Sequence, residues 1–174
     1  MSSTTSATPA EPAGRARRAR LRLDVQYAAP ATGVPPVQSF RRWARAALLC
    51  DAQVTLRLVG EREGRTLNRD FRGRDYATNV LTFAYADSVP LCGDIALCLP
   101  VVAREARRQG KTLEAHLAHL TVHGMLHLQG FDHETGADAE LMEGLETEIV
   151  AKLGYADPYG AVPTKGARRR AAAG

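Results

Sequence analysis

Aromatic side chains make up only 6% of this sequence, and cysteine is scarcer still. The three cysteines, Cys50, Cys92 and Cys98, are an odd number without the paired spacing of a metal finger. They sit among apolar residues, where a reduced thiol behaves as a small hydrophobe, so no disulfide framework is expected. No stretch approaches the roughly 18 uninterrupted apolar residues of a membrane span, and the first residues lack the apolar run of a secretory signal. The expected setting is therefore cytoplasmic, without a membrane partner. What is present is an ordinary globular composition: 45% hydrophobic and 24% charged residues in a chain of 174. That length suits one domain with a sizeable core and excludes two large ones.

The formal charge of +4 is unevenly placed. Residues 1–22 hold five Arg against one Glu, and residues 155–174 hold four basic side chains against one Asp. The body between them, residues 23–154, carries 14 basic and 17 acidic side chains and is mildly acidic. Ser, Thr, Ala and Pro dominate the start, and Arg168, Arg169 and Arg170 precede an alanine run at the end. Such compositions cannot offset their ordering entropy by burial. The expected organisation is a disordered basic tail over 1–20, a folded domain over 21–154 and a flexible basic tail over 155–174. Basic ends can hold a phosphate backbone or simply remain solvated; they carry no interleaved aromatic platform. Within the body, Arg57 to Arg74 holds six Arg against three acids and suits an anion, whereas Asp132 to Glu148 holds seven acids and no Lys or Arg and is expected to face water.

Leu21 to Tyr27 alternates with period two, the pattern of a strand with one buried face. Pro35 and Pro36 suit a helix start, and apolar residues from Val37 to Leu48 follow helical spacing. Gln53 to Val59 reads as a second strand, Glu61 to Phe71 as a short helix before Gly73, and Val80 to Ala84 and Asp94 to Leu99 as two further strands. Val101 to Gln109 reads as a basic helix closed by Gly110. Leu113 to Leu128 carries apolar residues on most sides, so a helix buried in the core is expected. Ala137 to Leu153 forms the last helix. The sum is an α+β domain with a mixed sheet of about four strands and a buried central helix carrying histidines.

That helix ends in His123-Gly-Met-Leu-His127-Leu-Gln-Gly-Phe-Asp-His133, with the spacing H-x3-H-x5-H. Histidines four apart lie on one helical face about 6 Å apart along the axis, so both can reach one ion at about 2.1 Å. Gly130 can break the helix and return His133 to complete a facial set, leaving a fourth position open for water, as in a catalytic zinc site. Three of the five histidines fall in this stretch of eleven residues. His116 and His119 share the same helical side and suit supporting hydrogen bonds better than ligation. The pattern overlaps the zinc-protease motif H-E-x-x-H-x-x-G-x-x-H, but Gly124 stands where that motif has its general-base glutamate, which disfavours peptide hydrolysis. Asp132 and Glu134 flank His133 and either orient an imidazole or water, or serve as ordinary turn and helix-start acids.

His123 to His133 resembles the signature H-G-x-L-H-L-x-G-[YF]-D-H of the YbeY family of bacterial rRNA maturation endoribonucleases. Leu67 to Phe83 resembles its L-N-x-x-[YF]-R-x-x-D-x-x-T-N-V-L-[ST]-F block, and Gly93-Asp94-Ile95 its G-D-I strand start. The blocks occur in family order and the resemblance spans roughly residues 21–154. Thr82, where Ser is common, and Ala77, where Pro is common, are small departures away from the chemistry. The resemblance implies one Zn2+ on His123, His127 and His133, with Arg72 as the functional arginine. It also implies single-strand-specific cleavage of RNA in maturation of the 16S rRNA 3′ end and in ribosome quality control, with ribosomal-protein or assembly-factor contacts. Under it, Thr78 and Asn79 cap or pair the strand start, and Asp94 supports the site or contacts a partner. A metallopeptidase-like hydrolase and a non-catalytic assembly factor with a structural metal are the rival readings.

Overall fold

The computed structural model describes residues 17–85, 89–133 and 135–160. The elements run β1 (Leu21–Tyr27), α1 (Val37–Ala46), β2 (Ala52–Val59), α2 (Glu61–Arg72), β3 (Val80–Tyr85), β4 (Leu91–Cys98), α3 (Leu99–Arg108), α4 (Leu113–Leu128) and α5 (Gly136–Lys152). They form the expected single α+β domain around a four-stranded mixed sheet of order β1-β2-β4-β3. β1, β2 and β4 are parallel, with Leu21 opposite Ala52 and Ala52 opposite Leu91; β3 runs antiparallel to β4 at one edge, with Thr82 opposite Ile95.

The core is built where the period-two and helical patterns meet. Leu56, Leu58, Ile95 and Leu97 on the central strands pack with Phe40 and Trp43 of α1 and with Leu117, Met125 and Leu126 of α4. α4 is the central helix the sequence led one to expect, apolar nearly all round because neighbours surround it. Thr112 caps it, accepting the backbone N–H of Ala115 at 3.1 Å. Gly124 lies where α4 crosses β4: a Cβ there would stand 3.0 Å from both Cδ1 and Cγ2 of Ile95. The residue that breaks the zinc-protease pattern thus lies at a close helix-to-strand approach, where a side chain would press on Ile95.

Some boundaries differ from expectation. β4 starts at Leu91, three residues before Asp94, because its register with β2 begins at Ala52. α3 follows β4 directly at Leu99, with Pro100 in its first turn, where a missing N–H costs nothing. α1 ends at Ala46 rather than reaching Leu48. Residues 155–160, within the segment expected to be a tail, pack on the domain: the Tyr155 hydroxyl accepts from Trp43 Nε1 at 3.2 Å and donates to Glu114 at 2.6 Å, and Pro158 is buried. The rest of that segment, residues 161–174, and residues 1–16 lie outside the described residues, as does Glu134.

Candidate active site

His116, His119, His123 and His127 project from one side of α4. The His123 and His127 rings, one turn apart, have centroids separated by 4.5 Å. Gly130, at φ 91°, takes the chain out of the helix, and Phe131 N–H closes back on Leu126 O at 3.2 Å. That reversal brings the His133 ring to 4.9 Å from His127 and 5.8 Å from His123. The three imidazoles of the sequence motif therefore gather at one place. Arg72 at the end of α2 joins them in one cleft of about 470 Å3, with Thr78, Thr82 and Asp132 also in its walls.

The six arginines of the Arg57–Arg74 segment are not equally available to an anion. Arg57 pairs with Glu63 at 2.7 Å, Arg65 with Asp75 at 2.6 Å and Arg69 with Asp70 at 2.8 Å. Among the described residues Arg72 has no carboxylate partner, so its guanidinium is open to the cleft.

Behind the three rings lies a carboxylate that the sequence reading missed. Glu146 of α5 belongs to the acidic run expected to face water, yet it is fully buried. Its Oε1 meets His123 Nδ1 at 2.8 Å, while its Oε2 meets His119 Nε2 at 2.5 Å and accepts from the Tyr159 hydroxyl at 2.5 Å. Burial pushes its pKa up, but the hydrogen bonds from His119, His123 and Tyr159 outweigh that and hold it at about 2. An ionised acceptor at Nδ1 holds a proton on that nitrogen and makes Nε2 the nitrogen available to a ligand. A signal was available: Glu146 falls in the four-spaced row with buried Met142 and Val150, an acid on an apolar stripe. Tyr159, five residues past the expected domain end, had no comparable signal.

His127 is held below the usual histidine range, first by burial and then by its neighbours His123 and His133, which keeps it in the neutral, ligating form. His116 plays the supporting part expected of it, with Nε2 at 2.8 Å from Glu105 Oε2, and burial lowers its pKa as well. Asn79 ties this pair to the cleft: its amide donates to Glu105 at 2.9 Å and its carbonyl accepts from Val80 N–H at 2.6 Å, at the start of β3. Asp94 does not support the histidines. Its neighbour Ile95 faces α4, so Asp94 faces the opposite side of the sheet, where it accepts from the Tyr85 hydroxyl.

Among the described residues two groups offer ligand atoms within 4.8 Å of one another and could hold a metal ion: His119, His123 and Glu146, and His127, Asp132 and His133. Fold and site together define a single-domain α+β protein with a histidine-lined, metal-capable cleft backed by a buried carboxylate.

The profile of the endoribonuclease YbeY family matches residues 37–154. Over 143 residues the chain is 64% identical to Endoribonuclease YbeY of Aromatoleum aromaticum, covering 80% of this chain and 93% of that one. It is 59% identical to the Nitrosomonas europaea protein of the same name over 137 residues, 79% of this chain and 84% of that one. The solution structure of TM1509 from Thermotoga maritima is similar, with a TM-score of 0.52 and 27% identity over 80% of this chain and 99% of that one. The chain belongs to the YbeY family.

Proposed function

We propose that this chain is a zinc-dependent endoribonuclease that cuts single-stranded RNA during maturation of ribosomal RNA, at the 16S 3′ end, with zinc on His123, His127 and His133. Membership of a family named for endoribonuclease activity makes the reaction hydrolysis of an RNA phosphodiester. The observation that carries the site assignment is the meeting of three imidazoles and an unpaired arginine in one cleft. The donors suit the ion: three imidazoles, one with its second nitrogen already tied to a carboxylate. Zinc, when bound, supplies Lewis acidity toward water and a phosphoryl oxygen.

The chain's own residues do the rest. Arg72 binds phosphate oxygens in the cleft and offsets the charge that grows on them in the transition state. Glu146 holds the His123 ring and its proton at Nδ1. Asn79, through Glu105, sets the edge of the cleft at the start of β3. No carboxylate stands at position 124 to deprotonate a nucleophile in the manner of a zinc protease, which weighs against the metallopeptidase reading.

A second metal placement, on His119, His123 and Glu146, is favoured by the convergence of those side chains. It is the weaker one, because their contacts of 2.5 and 2.8 Å are shorter than the about 3.4 Å spacing of ligand atoms around a tetrahedral zinc. The two are separated by substitution: His127→Ala abolishes stoichiometric zinc in the first placement and His119→Ala in the second.

The activity is tested on a 5′-labelled single-stranded RNA carrying the precursor 16S 3′ end. Cleavage is expected to stop with a chelator and return with zinc. Arg72→Ala is expected to keep zinc and fold and to lose about 100- to 1,000-fold in rate. Analysis of the new ends identifies the nucleophile, since a 2′,3′-cyclic end means attack by the ribose hydroxyl and excludes direct attack by water. Folded, zinc-loaded protein that binds ribosomal particles but cuts no RNA overturns the proposal in favour of an assembly factor.

A further inference from the structure

The few aromatic residues of this chain include two that stay largely in water within a few residues of Arg72. Phe71, in the last turn of α2, is 67% exposed, and Tyr76, just past Gly73, is 53% exposed. Both are held in place. The Phe71 ring sits edge-on against Phe83 of β3, with centroids 4.9 Å apart at 61°. The Tyr76 hydroxyl accepts from Arg74 Nη1 at 3.0 Å. Arg72 and Arg74 alternate with these rings, and among the described residues neither has a carboxylate partner, whereas Arg65 and Arg69 beside them are neutralised by Asp75 and Asp70.

The corner adjoins the cleft at two points. Arg72 follows Phe71 directly and lines the cleft. Thr82 precedes Phe83 and lines the cleft too, while alternation along β3 turns Phe83 to the other side of this edge strand. The Phe71–Phe83 pair therefore lies across the edge of β3 from the cleft wall formed by Thr82.

We propose that Phe71 and Tyr76, with Arg74, form a stacking platform for unpaired nucleobases flanking the phosphodiester held in the cleft. This rests on the endoribonuclease reading and gives it a physical source of strand preference: a duplex keeps its bases stacked on one another and has none to offer. Stacking on an aromatic ring contributes about 1–3 kcal/mol per base whatever the base, and the two open arginines meet the phosphates on either side. The platform also answers the charge problem of a mildly acidic body, since stacking needs no long basic groove.

The test measures zinc content, thermal stability, binding by fluorescence anisotropy and cleavage for wild type, Phe71→Ala, Phe71→Leu, Phe71→Trp and Tyr76→Ala. The substrates are a labelled single-stranded RNA and the same strand with abasic sites flanking the cut. Phe71→Ala is expected to keep its zinc and melting temperature and to weaken RNA binding about 5- to 100-fold, the loss falling on KM rather than kcat. Phe71→Trp restores binding, Phe71→Leu does not, and the penalty shrinks on the abasic strand. Equal RNA binding by wild type and Phe71→Ala overturns the proposal. So does full rescue by leucine, which would mean packing on Phe83, or loss of binding to ribosomal particles with RNA affinity intact, which would mean a protein partner. If wild type binds the RNA through Phe71 but does not cut it, the endoribonuclease reading fails and the platform stands.

Discussion

Glu146 has no exposed surface and answers three donors at once, so exchanging one of its oxygens for an amide nitrogen reaches the proposed metal ligands. Glu146→Gln keeps the shape but brings an NH2 group against groups that already donate, leaving at least one of them unpaired. A zinc affinity about 10- to 100-fold weaker is expected, read by competition with a chromophoric chelator; an unchanged affinity would mean that His123 needs no such tie. Gly124 sets the opposite kind of limit. Gly124→Ala drives a methyl against Ile95 and is expected to cost about 1–3 kcal/mol, measured as a lower denaturation midpoint. Gly124→Glu, which would restore the protease motif in writing, is for the same reason expected to unfold the domain and not to create a peptidase.

At the scale of elements, α4 is tied to α3 through His116 and Glu105. Burial holds His116 below the ordinary histidine value of 6.5, so the folded protein binds fewer protons there than the unfolded chain. The stability contributed by neutral His116 is complete above pH 6.5 and is lost as pH falls through that value toward the lower folded pKa. Zinc-free protein is therefore expected to unfold at lower denaturant at pH 5 than at pH 7, and His116→Gln to flatten that dependence. The helices and strands were legible in the sequence because their signals are local: period-two alternation in Leu21 to Tyr27, and a helix that Gly130 must end. The meeting of His123, His127 and His133 was legible for the same reason, as it needs only one helical turn and one reversal. Glu146 was not, because its contact with His123 spans 23 residues and depends on how α5 lies across α4. The four-spaced row Met142, Glu146, Val150 was the available hint, masked by the acids around it.

For the whole molecule, charge placement decides how RNA is held. The body is mildly acidic, three of the six arginines of the Arg57–Arg74 segment are neutralised by near neighbours, and among the described residues Arg72, in the cleft wall, and Arg74, two residues on, have no carboxylate partner. A single strand loses about 0.7 in log–log salt slope for each phosphate neutralised, so a slope of about −1 to −2 is expected for a short RNA. A slope several units steeper would assign the binding to the arginines of the two ends. The aromatic corner was invisible in the sequence for a related reason: nothing in Phe71 or Tyr76 as letters says that they remain in water.

The helix that carries His123 and His127 is also the helix around which the core is assembled. Ligation at its end is then thermodynamically linked to survival of the whole fold, since an ion bound by the native chain and not by the denatured one shifts the balance between them by mass action. Under the zinc placement proposed above, a cell short of zinc would lose this protein by turnover as well as by idleness, and its abundance would track the metal supply.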